Sequence, residues 1–166
     1  MIVCGIDSST NKTGISCFEN DSLKDFVLVD LHKIKNTDER ISKMMKSVYE
    51  QLNKYNPDVV YVEDSWAKGN VKTLKNLSYL IGAIQGWCAT NDRIYRHIMP
   101  SSWRKICDLN RIEKGHADRC DLKTLSIMFA NSKFGVCVTS DDEADCINIG
   151  YAGTILEQQY CEEESE

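Results

Sequence analysis

Two short apolar runs, far apart in the chain, each end in an acid. Ile2-Val3-Cys4-Gly5-Ile6 runs into Asp7, and Val59-Val60-Tyr61-Val62 runs into Glu63. Runs this short and this apolar, bounded by turn residues, predict strands that are covered on both faces and therefore central in a sheet. A carboxylate at the end of such a strand is costly unless it is paired or coordinated. Asp7 also admits a plainer reading, a turn residue bonded to its own backbone with help from Ser8 and Ser9. What separates the two readings is whether other groups gather at the same strand ends.

The rest of the chain supplies them. Thr13–Glu19 and Phe26–His32 read as second and third strands joined by short turns, which predicts an antiparallel meander with the first. Asn36 followed by Glu39 resembles a helix N-cap with its reciprocal partner. That helix runs to about Tyr55, with Ile41, Met44, Met45, Val48 and Leu52 on one side. Asn56-Pro57-Asp58 stops it before the strand that ends in Glu63. A long helix spans about 71–89, with Leu74, Leu77, Ile81, Ile84 and Cys88 spaced for packing. Gly82 and Gly86 lie on a separate, narrower face, where they let another backbone come close. Arg93–Met99 is a fifth strand, closed by Pro100. A short helix holding Trp103, Arg104 and Lys105 follows, then a helix over His116–Ala130. The last begins at Ser140, with Glu143 completing a capping box. A meander followed by βαβ crossovers makes an α/β fold, a mixed five-stranded sheet of three antiparallel strands and then two parallel ones, with helices on both faces.

That last helix opens on Asp141-Asp142-Glu143-Ala144-Asp145. The capping box accounts for Glu143, and the helix dipole for Asp141. Asp142 and Asp145 share a helical stripe with Ile149, Ala152 and Leu156, so they aim at the sheet and not at water. Asp64, beside Glu63, points to the opposite face of its strand. Asp7, Glu63, Asp142 and Asp145 therefore form one set. Four carboxylates are what two magnesium ions need from a protein, because hard cations take oxygen ligands. A metal pair ~4 Å apart can clamp both oxygens of an in-line phosphoryl displacement. The set predicts a metal-dependent nuclease.

The charge balance allows a nucleic-acid partner. The net charge is −5, yet the segment from Glu157 to Glu166 holds five Glu and no Lys or Arg, so residues 1–156 sum to zero. Residues 93–119 carry seven Lys and Arg against three acids, a basic stretch suited to phosphodiesters. Trp66, in the loop after Glu63, fits either a core position or stacking on an unpaired base. Lys68 and Lys72 nearby suit phosphates. Eight cysteines without a Cys-x-x-Cys spacing read as reduced thiols, most of them buried, in a cytoplasmic protein. No secretory signal or membrane-spanning run is apparent. Residues 1–160 read as one domain, and 161–166 as an acidic, disordered tail.

These residues resemble the RuvC-type Holliday-junction resolvases of the ribonuclease H-like superfamily, in a bacteriophage version. The resemblance rests on Gly5-Ile6-Asp7-Ser8-Ser9 with Thr13-Gly14, on Glu63 with an aromatic three residues later, and on Asp142-Glu143-Ala144-Asp145. It implies that the four acids hold two Mg²⁺ ions, which Mn²⁺ can replace. It further implies a homodimer with helix 71–89 at its interface, acting on four-way DNA, with forked DNA as a further substrate, in the host cytoplasm. Pro100–Lys105 and Lys114–Arg119 resemble the family's DNA-contacting region, which assigns Arg104, Lys105, Lys114 and Arg119 to phosphates. Arg104 and Arg119 stand where the family usually has Lys, and Trp66 where bacterial members have Phe.

Three other readings compete. Gly5-Ile6-Asp7 with Thr13-Gly14 also resembles the phosphate loop of the actin and sugar-kinase superfamily, but those proteins need a second such domain. A non-catalytic branched-DNA binder would be expected to have lost some of the acids. A ribonuclease acting on RNA–DNA hybrids would take its Glu from the first long helix, where Glu39 and Glu50 are the candidates.

Overall fold

The computed structural model describes residues 1–64, 71–109 and 119–163. Ten elements follow in order: β1 (Ile2–Asp7), β2 (Lys12–Glu19), β3 (Ser22–Asp30), α1 (Thr37–Tyr55), β4 (Val59–Glu63), α2 (Val71–Thr90), β5 (Ile94–Ile98), α3 (Pro100–Ile106), α4 (Arg119–Phe134) and α5 (Asp141–Glu163). The sheet order is β3-β2-β1-β4-β5. β1, β2 and β3 pair antiparallel, while β1, β4 and β5 run parallel. This is the mixed sheet that the apolar runs predict, with β1 and β4 inside it.

Strand alternation sorts the core into two layers. Cys4, Ile6, Ile15, Val60 and Val62 pack against Met44, Val48 and Leu52 of α1 and Leu80 and Ile84 of α2. Val3, Phe18, Val59 and Tyr61 face the other way, onto Trp103 of α3, Ala130 of α4 and the length of α5. Asp7 and Glu63 have the parity of Val3 and Tyr61, so both strand-end acids face the α5 layer.

Two glycines set how closely α5 approaches. A Cβ on Gly5 would lie 2.1 Å from the Gly150 nitrogen, and one on Gly150 would lie 2.4 Å from Ser16 Oγ. The helix backbone therefore rests directly on β1 and β2, and Ser16 Oγ donates to the Cys146 carbonyl at 2.6 Å. With α3 and α4 on its outer side, α5 is buried nearly all round, from Ala144 to Thr154.

Several local expectations change. β3 starts at Ser22, because Asn20 takes a left-handed turn (φ 53°) and closes the hairpin early. The Asn36 cap forms, its side chain accepting from the Glu39 nitrogen at 3.0 Å, but the Glu39 carboxylate pairs with Lys43. Ser140 directs its hydroxyl to Asp142 at 3.4 Å. On α2 the buried face is Leu80, Ile84, Trp87 and Cys88, whereas Leu74 is exposed. The buried positions of α2 begin at Leu80, so its first turns add no residue to the core among the described residues. α5 runs on to Glu163, making residues 161–163 of the expected tail helical.

Candidate active site

The C-terminal ends of β1 and β4 lie side by side because the strands are parallel, and the first turn of α5 lies across them. Asp7, Glu63, Asp142 and Asp145 consequently line one cavity of about 450 Å³, together with Ser9, Arg104, Lys123 and Asp141. All four carboxylates singled out in the sequence are brought together. Glu39 and Glu50 are exposed on α1, across the sheet, and neither lines the cavity.

The electrostatics are those of an anion cluster short of positive charge. Asp7 is held well above the usual carboxylate range by burial, reinforced by the charges of Glu63, Asp145, Asp142 and Asp141. Burial also raises Glu63, against the opposing effects of Trp103 and Arg104. It pushes Asp145 up to about 6, which a hydrogen bond from Ser126 opposes. Asp142 is raised by burial and by Asp141, while Lys12 and Lys123 pull it down. Lys123 forms an ion pair with Asp141, so that pair closes one wall of the cavity.

Neutral donors engage two of the carboxylates. Trp103 Nε1 donates to Glu63 Oε1 at 2.8 Å, and Ser126 Oγ donates to Asp145 Oδ1. As they stand, no three His, Cys, Asp or Glu side chains among the described residues are gathered around a single point. The donor set nevertheless suits a hard cation in charge and chemistry. It offers only oxygen ligands, it concentrates like charges in a partly dry cavity, and a cation there would relieve the repulsion that raises Asp7.

The other site residues divide. Arg104 lies in the cavity wall with its guanidinium 4.8 Å from the Trp103 ring. Lys105 is exposed on α3, and Lys72 is exposed in the first turn of α2. Trp66, Lys68, Lys114 and the side chain of Arg119 lie outside the described residues. Sequence reasoning missed the partners of the acids, Trp103, Ser126 and Lys123, and Asn148 behind Ser126. A polar residue inside an apolar helical run, Ser126 between Leu125 and Ile127 or Asn148 between Ile147 and Ile149, was the available signal.

The family model for crossover junction endodeoxyribonuclease RuvC matches residues 3–99. The chain belongs to the RuvC family. It is a metal-dependent endodeoxyribonuclease of the class that cuts crossover junctions. It is 25% identical over 156 residues to the RuvC protein of Rickettsia bellii (strain OSU 85-389), covering 91% of this chain and 95% of that one. It is 24% identical over 161 residues to that of Rickettsia akari (strain Hartford), covering 94% and 98%. In fold it is similar to T. thermophilus RuvC in complex with a Holliday junction substrate, with a TM-score of 0.77, 14% identity and 96% of each chain covered. It is similar also to Fowlpox virus resolvase in complex with Holliday junction DNA, with a TM-score of 0.65, 20% identity and 95% and 99% covered. The RuvC-like ribonuclease H fold expected from the sequence is the fold observed. Among the described residues no helix is long and apolar enough to cross a membrane.

Proposed function

We propose that this RuvC-family chain resolves four-way DNA junctions by symmetric, magnesium-dependent phosphodiester hydrolysis, leaving 5′-phosphate and 3′-hydroxyl ends. One observation carries the assignment of the site: carboxylates from β1, β4 and α5 converge on a single cavity beside Arg104. Asp7 would be common to the two ions, Glu63 would hold one of them, and Asp145 with Asp142 would hold the other. The chemistry that bound magnesium supplies is a lowered water pKa and compensation of charge on the leaving oxygen. Arg104 holds a phosphate at the cavity wall, Lys105 and Lys72 extend the basic surface, and these contacts set register without reading sequence. Trp66, Lys68, Lys114 and Arg119 take the DNA-contacting roles that the family resemblance implies, within one nuclease domain spanning residues 1–160.

The working unit is a homodimer that presents one site to each of two strands. Support comes from α2, where Leu74, Leu77, Ile81 and Gly82 line a groove with His97 and Asp64. Among the described residues, a Cβ on Gly82 or Gly86 would meet nothing within 4 Å, which leaves room for a second backbone.

The test is cleavage of an end-labelled synthetic four-way junction with Mg²⁺, beside linear duplex and an RNA–DNA hybrid, with Asp7→Asn as control. Paired symmetric nicks in the junction, absent from the variant, are expected. Binding without cleavage would mean a branched-DNA binder, and cutting of the hybrid alone would move the activity to another branch of the superfamily.

A further inference from the structure

Behind Asp145 lies a chain of buried polar groups that plain packing does not require. Ser126 on α4 is 1% exposed and Asn148 on α5 is fully buried. Asn148 Nδ2 lies 3.2 Å from the Ser126 carbonyl oxygen and 2.8 Å from Ser126 Oγ. A carbonyl oxygen can only accept, so the atom facing it is the amide nitrogen, and the orientation of the Asn148 amide is fixed. The same nitrogen then donates to Ser126 Oγ. A serine hydroxyl has one proton, and with the oxygen accepting from Asn148 that proton is directed to Asp145 Oδ1. The other end of the amide, Asn148 Oδ1, is buried without a hydrogen-bond partner among the described residues. An unpaired buried acceptor opposes folding and offsets what the two donated bonds contribute, so stability alone gives little reason for Asn here instead of Leu.

We infer that Asn148 and Ser126 are positioning residues that lock the carboxylate of Asp145, occupying Oδ1 and leaving Oδ2 free for the cation. The inference rests on the metal-site reading above and deepens it. The direction of the relay matters. Were the amide reversed, Ser126 would spend its proton on Asn148, and Asp145 would lose its donor and its fixed rotamer. Metal ligands are commonly oriented in this way by a hydrogen bond from behind.

The experiment measures Mn²⁺ binding to the metal-free full-length protein by the electron paramagnetic resonance signal of the free ion, with no DNA present. Ser126→Ala is expected to raise the Kd about 10–100-fold, and Ser126→Thr, which keeps the hydroxyl, to restore it to within about threefold of the starting protein. Asn148→Leu is close in shape and removes the unpaired acceptor. It is expected to melt no lower than the starting protein while binding Mn²⁺ more weakly, a combination that a merely structural role would not produce. It also serves as the test if the Ser126 variants do not fold. Unchanged Mn²⁺ affinity in a folded Ser126→Ala or Asn148→Leu protein overturns the relay but leaves the metal site standing. Failure of the starting protein itself to bind Mn²⁺, or Asp145→Asn binding as well as it does, overturns the metal-site reading instead.

Discussion

If Asp7 holds metal as proposed, stability and chemistry pull in opposite directions there. Its carboxyl is buried among four other acids and held well above the usual range, so in the metal-free protein its ionised form works against folding. Asp7→Asn removes that charge at nearly constant shape. We expect it to abolish cleavage yet stabilise the metal-free protein at pH 8 by on the order of 1 kcal/mol, about 2–4 °C in Tm for a chain of this size. Melting curves recorded in chelator check this, and a lower Tm for the variant would show the charge to be compensated already. The pH dependence has the same origin. A carboxyl raised in the folded state contributes stability that is fully present below its unfolded pKa and lost as pH rises through its folded one. Asp145, pushed up to about 6, together with Asp7, should therefore make the metal-free protein melt higher at pH 5 than at pH 8. Saturating Mg²⁺ should reduce or reverse that difference. Asp25 has the opposite sign, lowered by its hydrogen bond from Lys54, so its contribution is lost only in more acidic solution. Asp7 and Glu63 were legible in the sequence because each ends an apolar strand. Trp103 and Ser126 were not, because their partners stand 40 and 19 residues away and no spacing rule connects an acid to a donor on a different element.

Among the elements, α5 determines the site most, since it delivers both Asp142 and Asp145 and does so by resting on β1 and β2 without intervening side chains. The acidic first turn and apolar stripe foretold its start and its direction toward the sheet. They did not foretell burial on nearly every side, because a stripe describes one covered face and α5 is also covered from outside by α3 and α4. Nor did Gly5 and Gly14 disclose their purpose in a sequence motif. In three dimensions a Cβ on Gly14 would lie 2.3 Å from the Asp142 carbonyl oxygen, while one on Gly5 would meet Gly150 backbone. Backbone cannot turn aside as a side chain can, so Gly5→Ala must lift α5 from the sheet. We expect a loss of about 1–3 kcal/mol in urea unfolding. We also expect cleavage to fall about a hundredfold in protein that remains folded, because the two aspartates shift with the helix. Unfolding and cleavage measured on the same preparation separate the effects. Loss of stability with full activity would show that the α5 acids do not need this docking.

At the scale of the whole molecule, α2 carries apolar side chains that lie outside the core formed by the described residues. The first turns of α2 expose Val71, Leu74 and Tyr79, and among the described residues nothing lies within 4 Å of a Cβ built on Gly82 or Gly86 of the same helix. The apolar spacing of α2 was legible, but which residues another molecule would cover was not, since periodicity cannot tell an intramolecular partner from a second copy. The glycines give a test in which fold and assembly respond with opposite signs. In an isolated subunit, Gly82→Ala and Gly86→Ala add Cβ atoms that strike nothing and remove backbone entropy from the unfolded chain. The helix should then gain about 1 kcal/mol per site. In a dimer that brings a second backbone over those positions, the same methyl groups occupy the space the partner needs. The double variant should therefore melt higher at the lowest protein concentrations, where subunits are apart, and dissociate more readily in sedimentation velocity. Its nicks in a four-way junction should become uncoupled, with singly cut junctions accumulating before the second cut, because each site would then meet its strand independently. Tighter stability with an unchanged dimer would place the interface elsewhere on the molecule, whereas a less stable subunit would mean that the space above α2 is already filled by this chain.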